Sequence, residues 1–296
     1  MTVLPRRLDV LNKTFNAGGL RVTRDIPFGK HPRQKLDVYR PAERRSARSG
    51  EESSDEPLPV IVFFYGSIWQ FGHRHEYEFL AASLVRQGFV VVVPDYRLYP
   101  DVIFPRFLDD NAAAVAWVLK NIPQFGGDDK TVFLMGHSSG GYSVVMLGLD
   151  PSHLADVGVD TKQIAGVIGL AGLYEFQQNN DPIMAQIFPP PMDAPEYQPI
   201  NYARPGAPPA LLLHGGRDTV IFPRQTGMLA SRIREAGSTV ETRIYPRIGH
   251  NGTLLGCLPH FAWRGPILQD MLNFVAACRN GDYDEADPEI SAPALR

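Results

Sequence analysis

Residues 132–141 read Val-Phe-Leu-Met-Gly136-His137-Ser138-Ser139-Gly140-Gly141, an apolar run that breaks at once into small residues. Such a run fits a strand buried on both faces, and Gly141–Leu149 has the composition of a buried helix. A strand turning this sharply into a helix leaves no room for side chains two positions before and two after the apex. Gly136 and Gly140 therefore flank Ser138. The apex side chain is lifted off the turn, which makes Ser138 the expected nucleophile and gives Ser139 an amide that can serve an oxyanion hole.

Outward from this turn, short apolar runs alternate with longer amphipathic segments, the pattern of βαβ units. Strands are expected at Val60–Phe64, Val90–Pro94, Val132–Gly136, Gly166–Leu170, Ala210–His214 and Val240–Tyr245, with Lys35–Tyr39 as an antiparallel edge. Helices are expected at Tyr77–Gln87, Leu108–Asn121, Gly141–Leu149, Arg224–Ala236 and Ile267–Cys278. The fold class is α/β, a mostly parallel central sheet flanked by helices, with residues 1–296 forming one catalytic domain. Residues 44–57 hold almost nothing apolar and read as a mobile surface loop. Residues 176–209 contain nine prolines, at 182, 189, 190, 191, 195, 199, 205, 208 and 209. That density excludes a long helix or strand and suggests an irregular lid, with Phe176, Ile187, Phe188 and Met192 as its apolar members.

A serine hydroxyl needs a base to take its proton, and the base needs an acid to fix its tautomer. On an elbow of this kind they follow in the order Ser, Asp or Glu, His. Asp218 comes just past Ala210–His214, and His250 just past Val240–Tyr245, both at strand C-terminal ends where open α/β sheets collect functional groups. His260 is the positional rival for the base, and Glu241 the rival for the acid, although it lies inside an expected strand. His214 is read only as the end of a strand, and His137 as lying inside the elbow and pointing away. Oxyanion donors are expected from the loop after Val60–Phe64, at Gly66 and Ser67, together with Ser139. Tyr65, Trp69 and Tyr174 are expected to line the substrate pocket, with Phe176, Phe188 and Phe222 nearby, although each taken singly fits the core equally well and Tyr65 could instead brace the loop; such aromatics suit short acyl chains or aromatic alcohols.

No metal or other cofactor is expected. His73-Arg74-His75 is the one close histidine pair and reads as surface, and no phosphate-binding glycine loop opens a helix. The formal charge of -3 and pI near 6.2 provide no basic field for nucleic acid or anionic membrane. Two cysteines, Cys257 and Cys278, fit a reduced cytoplasmic protein, and the N-terminal residues lack the apolar core of a signal peptide. No apolar run approaches the length of a membrane span. Whether the chain forms a homodimer is left open.

The chain resembles the α/β-hydrolase esterases related to hormone-sensitive lipase and kynurenine formamidase. The resemblance runs from about Lys35 to Cys278. It rests on YGSIW at 65–69, VVPDYRLYP at 92–100, Asp109 and Trp117, NIPQFGGD at 121–128, GHSSGG at 136–141, LAGLYEF at 170–176, and the Asp218 and His250 loops. These families usually carry H-G-G-G or H-G-G-x-W where this chain has Tyr65 and Ser67 in place of the His and the second Gly; Trp69 keeps the x-W form. The resemblance implies a serine carboxylesterase acting on small esters through an acyl-enzyme. An arylformamidase cleaving N-formylkynurenine is the alternative, and a catalytically dead receptor or adhesion module of the same fold is disfavoured by the complete Ser, Asp and His set.

Overall fold

The computed structural model describes residues 4–15, 18–42, 56–175, 182–191 and 194–283. Its centre is a sheet of β1 (Leu20–Pro27), β2 (Lys35–Pro41), β3 (Leu58–Phe64), β4 (Val90–Pro94), β5 (Gly127–His137), β6 (Ile164–Leu170), β7 (Ala210–Gly215) and β8 (Val240–Tyr245). The spatial order is β1-β2-β4-β3-β5-β6-β7-β8. The β1–β2 and β2–β4 pairs are antiparallel and every other pair is parallel. Strands β4 and β7 are buried along their whole length, as continuous Val and Leu runs require when both faces of a parallel sheet are covered.

The covering elements are α1 (Leu4–Thr14), α2 (Glu78–Arg86), α3 (Arg106–Asn121), α4 (Ser139–Leu149), the short turns α5 (Ser152–Ala155) and α6 (Met184–Ile187), α7 (Arg224–Glu235), α8 (Gly252–Leu255) and α9 (Ile267–Asn280). Every residue of α4 is buried, because a helix apolar on all sides must be enclosed. It packs against β5 and β6, which fixes the turn that carries Ser138.

All six strands expected after residue 57 occur, with β5 extending back to Gly127 and β6 to Ile164. Lys35–Tyr39 does pair antiparallel, but it is not the edge: β1 covers it. That strand, LRVTRDIP, alternates too weakly to announce itself, since it is mostly half-exposed and bulged between Thr23 and Ile26. The far edge, β8, is protected by charge, with Arg243 bonded to Glu241 at 2.9 Å. Most of the loop expected at 44–57 lies outside the described residues, as do Phe176 and Met192.

The described parts of the 176–209 segment contain α6 and two 3-10 turns, Pro195–Tyr197 and Pro199–Tyr202. Phe188 is fully enclosed, its ring packed against Trp69, Phe104, Phe107, Tyr142 and Tyr197. The Tyr142 hydroxyl donates to the Tyr197 carbonyl at 3.1 Å, so the segment is bonded to α4. Among the described residues, no helix is long and apolar enough to cross a membrane.

Candidate active site

Ser138 sits at the turn between β5 and α4 with φ 57° and ψ -121°, a conformation that costs a non-glycine residue about 1–3 kcal/mol. Its surroundings enforce it: the Ser138 amide donates to Leu170 O at 2.9 Å, and Tyr142 N donates to Ser138 O at 3.0 Å. A Cβ on Gly136 would lie 2.2 Å from Gly140 O, and one on Gly140 would lie 2.0 Å from Phe64 O. Both glycines are therefore required by backbone contact, for the steric reason read from the sequence.

Asp218 and His250 arrive on the loops after β7 and β8. These loops are tied together by Gly216 N to Tyr245 O, 2.8 Å, and Arg217 N to Ile248 O, 2.9 Å. Asp218 Oδ1 accepts the amides of Val220 and Ile221, each at 2.9 Å. Its Oδ2 lies 2.8 Å from His250 Nδ1, and His250 Nε2 lies 2.9 Å from Ser138 Oγ. For Nε2 to accept the serine proton, Nδ1 must carry the hydrogen and donate to Asp218. Burial alone would raise the Asp218 carboxyl, but hydrogen bonds from His214, His250 and the Ile221 amide outweigh it and hold the group well below the usual carboxylate range. The structure thus joins the three residues singled out from the sequence. The rivals lie elsewhere: His260 packs on the Phe15 ring, and Glu241 bonds Arg243 and Tyr283.

Two further histidines belong to the same assembly. His137 donates through Nε2 to the backbone carbonyl of His250 at 3.1 Å. Burial and the neighbouring His250 push its pKa down to about 3, so this ring is neutral. His214, fully buried at the end of β7, places Nε2 3.0 Å from Asp218 Oδ2. The HGGRD spacing brings it back on Asp218 across a turn, a lateral contact that reading strands in order did not find.

The loop after β3 passes directly under the elbow, where a Cβ on Gly66 would lie 2.5 Å from His137 O and 2.6 Å from Ser138 Cβ. The Ser67 amide donates to Ser139 Oγ at 3.0 Å. Ile68 and Trp69 both have φ 53°, a left-handed pair that is unusual for a β-branched residue and leaves Ile68 exposed while Trp69 turns inward.

Tyr65, Trp69 and Tyr174, expected to line the substrate pocket, are instead enclosed at 0%, 1% and 0% exposure. Tyr65 is a brace. Its hydroxyl donates to Asp95 Oδ1 at 2.6 Å and accepts from Arg33 at 2.8 Å. Burial, with Asp95 beside it, pushes the phenol well above its usual range. Trp69 meets Tyr142 and Phe188 edge-on, and the Tyr174 ring fills the space over Gly169 and Gly172. The surface reading of His73-Arg74-His75 fails at Arg74, which is buried and bonded to Asp25, Asp37 and Asp95. Asp25, Asp37 and His75 bring one potential metal-ligand atom each within 4.8 Å, but both carboxylates are already bonded to the Arg74 guanidinium. The large apolar side chains that do remain exposed on loops leaving the C-terminal ends of β3, β4 and β7 are Ile68, Phe71, Ile103, Val220 and Phe222.

The BD-FAE family profile matches residues 36–233, a span that runs from β2 through the turn carrying Asp218. The chain belongs to the BD-FAE family. Within the wider set of similar proteins, this BD-FAE chain is 31% identical over 252 residues to esterase LipC of Mycobacterium tuberculosis, covering 78% of this chain and 60% of that one. It is 24% identical over 293 residues to a probable isoprenylcysteine alpha-carbonyl methylesterase of Oryza sativa subsp. japonica, covering 92% and 67%. A kynurenine formamidase of Danio rerio is 29% identical over 153 residues, covering 52% and 46%. The chain thus spans about two thirds or less of the length of these relatives. Among solved structures, esterase B of Lactobacillus rhamnosis superposes with TM-score 0.76 at 19% identity, covering 95% of this chain and 94% of that one. The BD-FAE chain has the α/β-hydrolase fold.

Proposed function

We propose that this chain is a serine carboxylesterase that cleaves small carboxylic esters through an acyl-enzyme, with Ser138 as nucleophile, His250 as base and Asp218 as its orienting acid. The observation that carries this reading is the continuous relay from Ser138 Oγ to His250 Nε2 and from His250 Nδ1 to Asp218 Oδ2, at 2.9 and 2.8 Å, on a strained elbow. Ser138 Oγ attacks the ester carbonyl as its proton passes to His250 Nε2, and the imidazolium so formed faces the ionised Asp218. The carbonyl oxygen becomes an oxyanion against the amides of Gly66, Ser67 and Ser139. Collapse expels the alcohol oxygen, which takes the proton from His250; water then repeats the sequence and releases the acid.

The Ser67 amide is held by the Ser139 hydroxyl in the resting protein, and an oxyanion, the stronger acceptor, displaces that hydroxyl. The exposed Ile68, Phe71, Val220 and Phe222 favour an apolar ester over a sugar ester, and the work is that of one domain in the cytoplasm. The test is a panel of p-nitrophenyl esters of graded acyl length, acetylated sugars, feruloyl esters and N-formylkynurenine, with a phosphonate to label the nucleophile. Ester turnover with label on Ser138 is expected. Turnover of N-formylkynurenine alone transfers the same three residues to a formamidase, and label on another residue removes Ser138 from its role.

A further inference from the structure

Three acceptor or donor groups meet the ring of His214, the buried histidine at the end of β7. Nε2 lies 3.0 Å from Asp218 Oδ2 and 2.9 Å from the Ile221 carbonyl, while Nδ1 lies 2.7 Å from Thr226 Oγ1 on α7. A carboxylate and a carbonyl can only accept, so Nε2 must carry a hydrogen, and the Thr226 hydroxyl donates to Nδ1. Both ring nitrogens therefore have partners, and the ring is held from two directions. Asp218 Oδ2 accepts from His250 Nδ1 and lies 3.0 Å from His214 Nε2, whose single hydrogen is shared with the Ile221 carbonyl, while Oδ1 receives two backbone amides.

We propose that His214 is a positioning residue for the triad: its Nε2–H, held by Thr226, fixes the orientation of Asp218 and shares the charge that Asp218 offers to His250. The proposal rests on the esterase reading above. Without the second donor, Oδ2 can swing away from the plane that serves His250, and the negative charge that remains is directed at His250 alone. The first effect lowers turnover. The second favours the imidazolium, so the pH at which the base becomes protonated rises. Of the groups around this pair, His137 lies ring to ring with His250 at 4.8 Å and is neutral, and α7 presents the uncharged Thr226 hydroxyl to His214.

The experiment compares wild type, His214→Phe, His214→Gln and Thr226→Val on a p-nitrophenyl ester, with active sites counted by phosphonate labelling and pH profiles of kcat/KM. His214→Phe is expected to lower kcat per labelled site on the order of 10-fold or more with KM within about twofold, the split left by a misoriented base, and to move the acid limb to higher pH. His214→Gln, whose amide N–H reaches the same carboxylate, is expected to recover most of both, and Thr226→Val to shift the limb the same way by less. An unchanged kcat and acid limb in folded His214→Phe overturns the proposal, as does equal loss in the Phe and Gln variants. Should His214→Phe fail to fold, Thr226→Val decides: an unmoved acid limb there is the negative result. Wild-type protein that takes no label at Ser138 overturns the esterase reading itself, a result distinct from every one of these.

Discussion

His137 donates Nε2–H to the backbone carbonyl of His250 at 3.1 Å, so the residue before the proposed nucleophile holds the loop that carries the proposed base. Thr253 Oγ1 donates to the same carbonyl at 3.0 Å. The loop is therefore anchored from β5 and from α8 at once, and the base is set against Ser138 by main-chain bonds as well as by its own ring.

Keeping His137 neutral has a thermodynamic signature. Unfolding releases it to an ordinary histidine value of 6.5, whereas burial and His250 lower it to about 3 in the fold. Between those values the unfolded chain binds the extra proton, so stability falls as pH drops, by about 1.4 kcal/mol per pH unit from this group. His137→Gln, which can still donate to His250 O, is expected to flatten the slope of unfolding free energy against pH between pH 6 and 4 by about that amount. Urea unfolding at several pH values checks it, and parallel slopes count against the assignment.

The two serines of the elbow are expected to separate sharply. Ser138→Ala removes the attacking oxygen and should lower ester turnover by several orders of magnitude. Ser139→Ala keeps its amide and releases the Ser67 amide from a hydroxyl partner, so turnover should stay within about 10-fold of wild type; loss of a true oxyanion donor costs about 100 to 1,000-fold. Steady-state kinetics on a p-nitrophenyl ester measures both, and a donor-sized loss in Ser139→Ala assigns the hydroxyl a direct part.

Tyr65 stands where related esterases carry histidine, and its hydroxyl is bonded to Asp95 and Arg33 away from the elbow. Tyr65→Phe leaves a buried carboxylate short of one donor, an omission worth about 1–3 kcal/mol. The expected result is a lower urea midpoint with kcat within a few-fold of wild type. An unchanged midpoint with a large loss of kcat would place the hydroxyl in the reaction.

Asp218 is held well below the carboxylate range, so it remains ionised at any pH where His250 could serve as a base. The acid limb of kcat/KM should follow a single proton, that of the base, with no second break from Asp218. The same depression means that the stability contributed by ionised Asp218 is present above about pH 4, where free aspartate titrates, and is lost as pH falls toward the lowered folded value. Asp218→Asn should abolish the stability difference in acid and, by offering His250 the wrong partner, lower turnover by about 1,000-fold or more. A limb that falls with two protons is the contrary outcome.

The sheet was legible from Val60 onward because parallel strands buried on both faces must be apolar without interruption, and β4 and β7 are. Strand β1 was not, since a half-exposed edge needs no such run. The contact of Ser138, His250 and Asp218 was legible from the order of residues on strand ends. That of His214 was not, because its part depends on a turn folding residue 214 back on residue 218. For the aromatic residues the sequence left pocket and core equally open, because proximity to the elbow does not say which side of the backbone a ring takes: Tyr65 went to Asp95 and Arg33, Trp69 to Phe188, and Tyr174 to the space over Gly169 and Gly172.

Gly66 and Gly140 bring main chain against main chain, Gly66 beneath Ser138 and Gly140 against Phe64 O. On the esterase reading proposed above, the spacing between Ser138 Oγ and the amides offered to the oxyanion is a fixed gauge, set by two atoms that are missing and not by any side chain that could be exchanged. Variation in what the protein accepts has to come from residues that do not touch this gauge. Ile68, Phe71, Ile103, Val220 and Phe222 are exposed on the loops after β3, β4 and β7, so under that reading new substrate preferences are to be sought in single surface substitutions there, with the rate of bond cleavage left to the backbone.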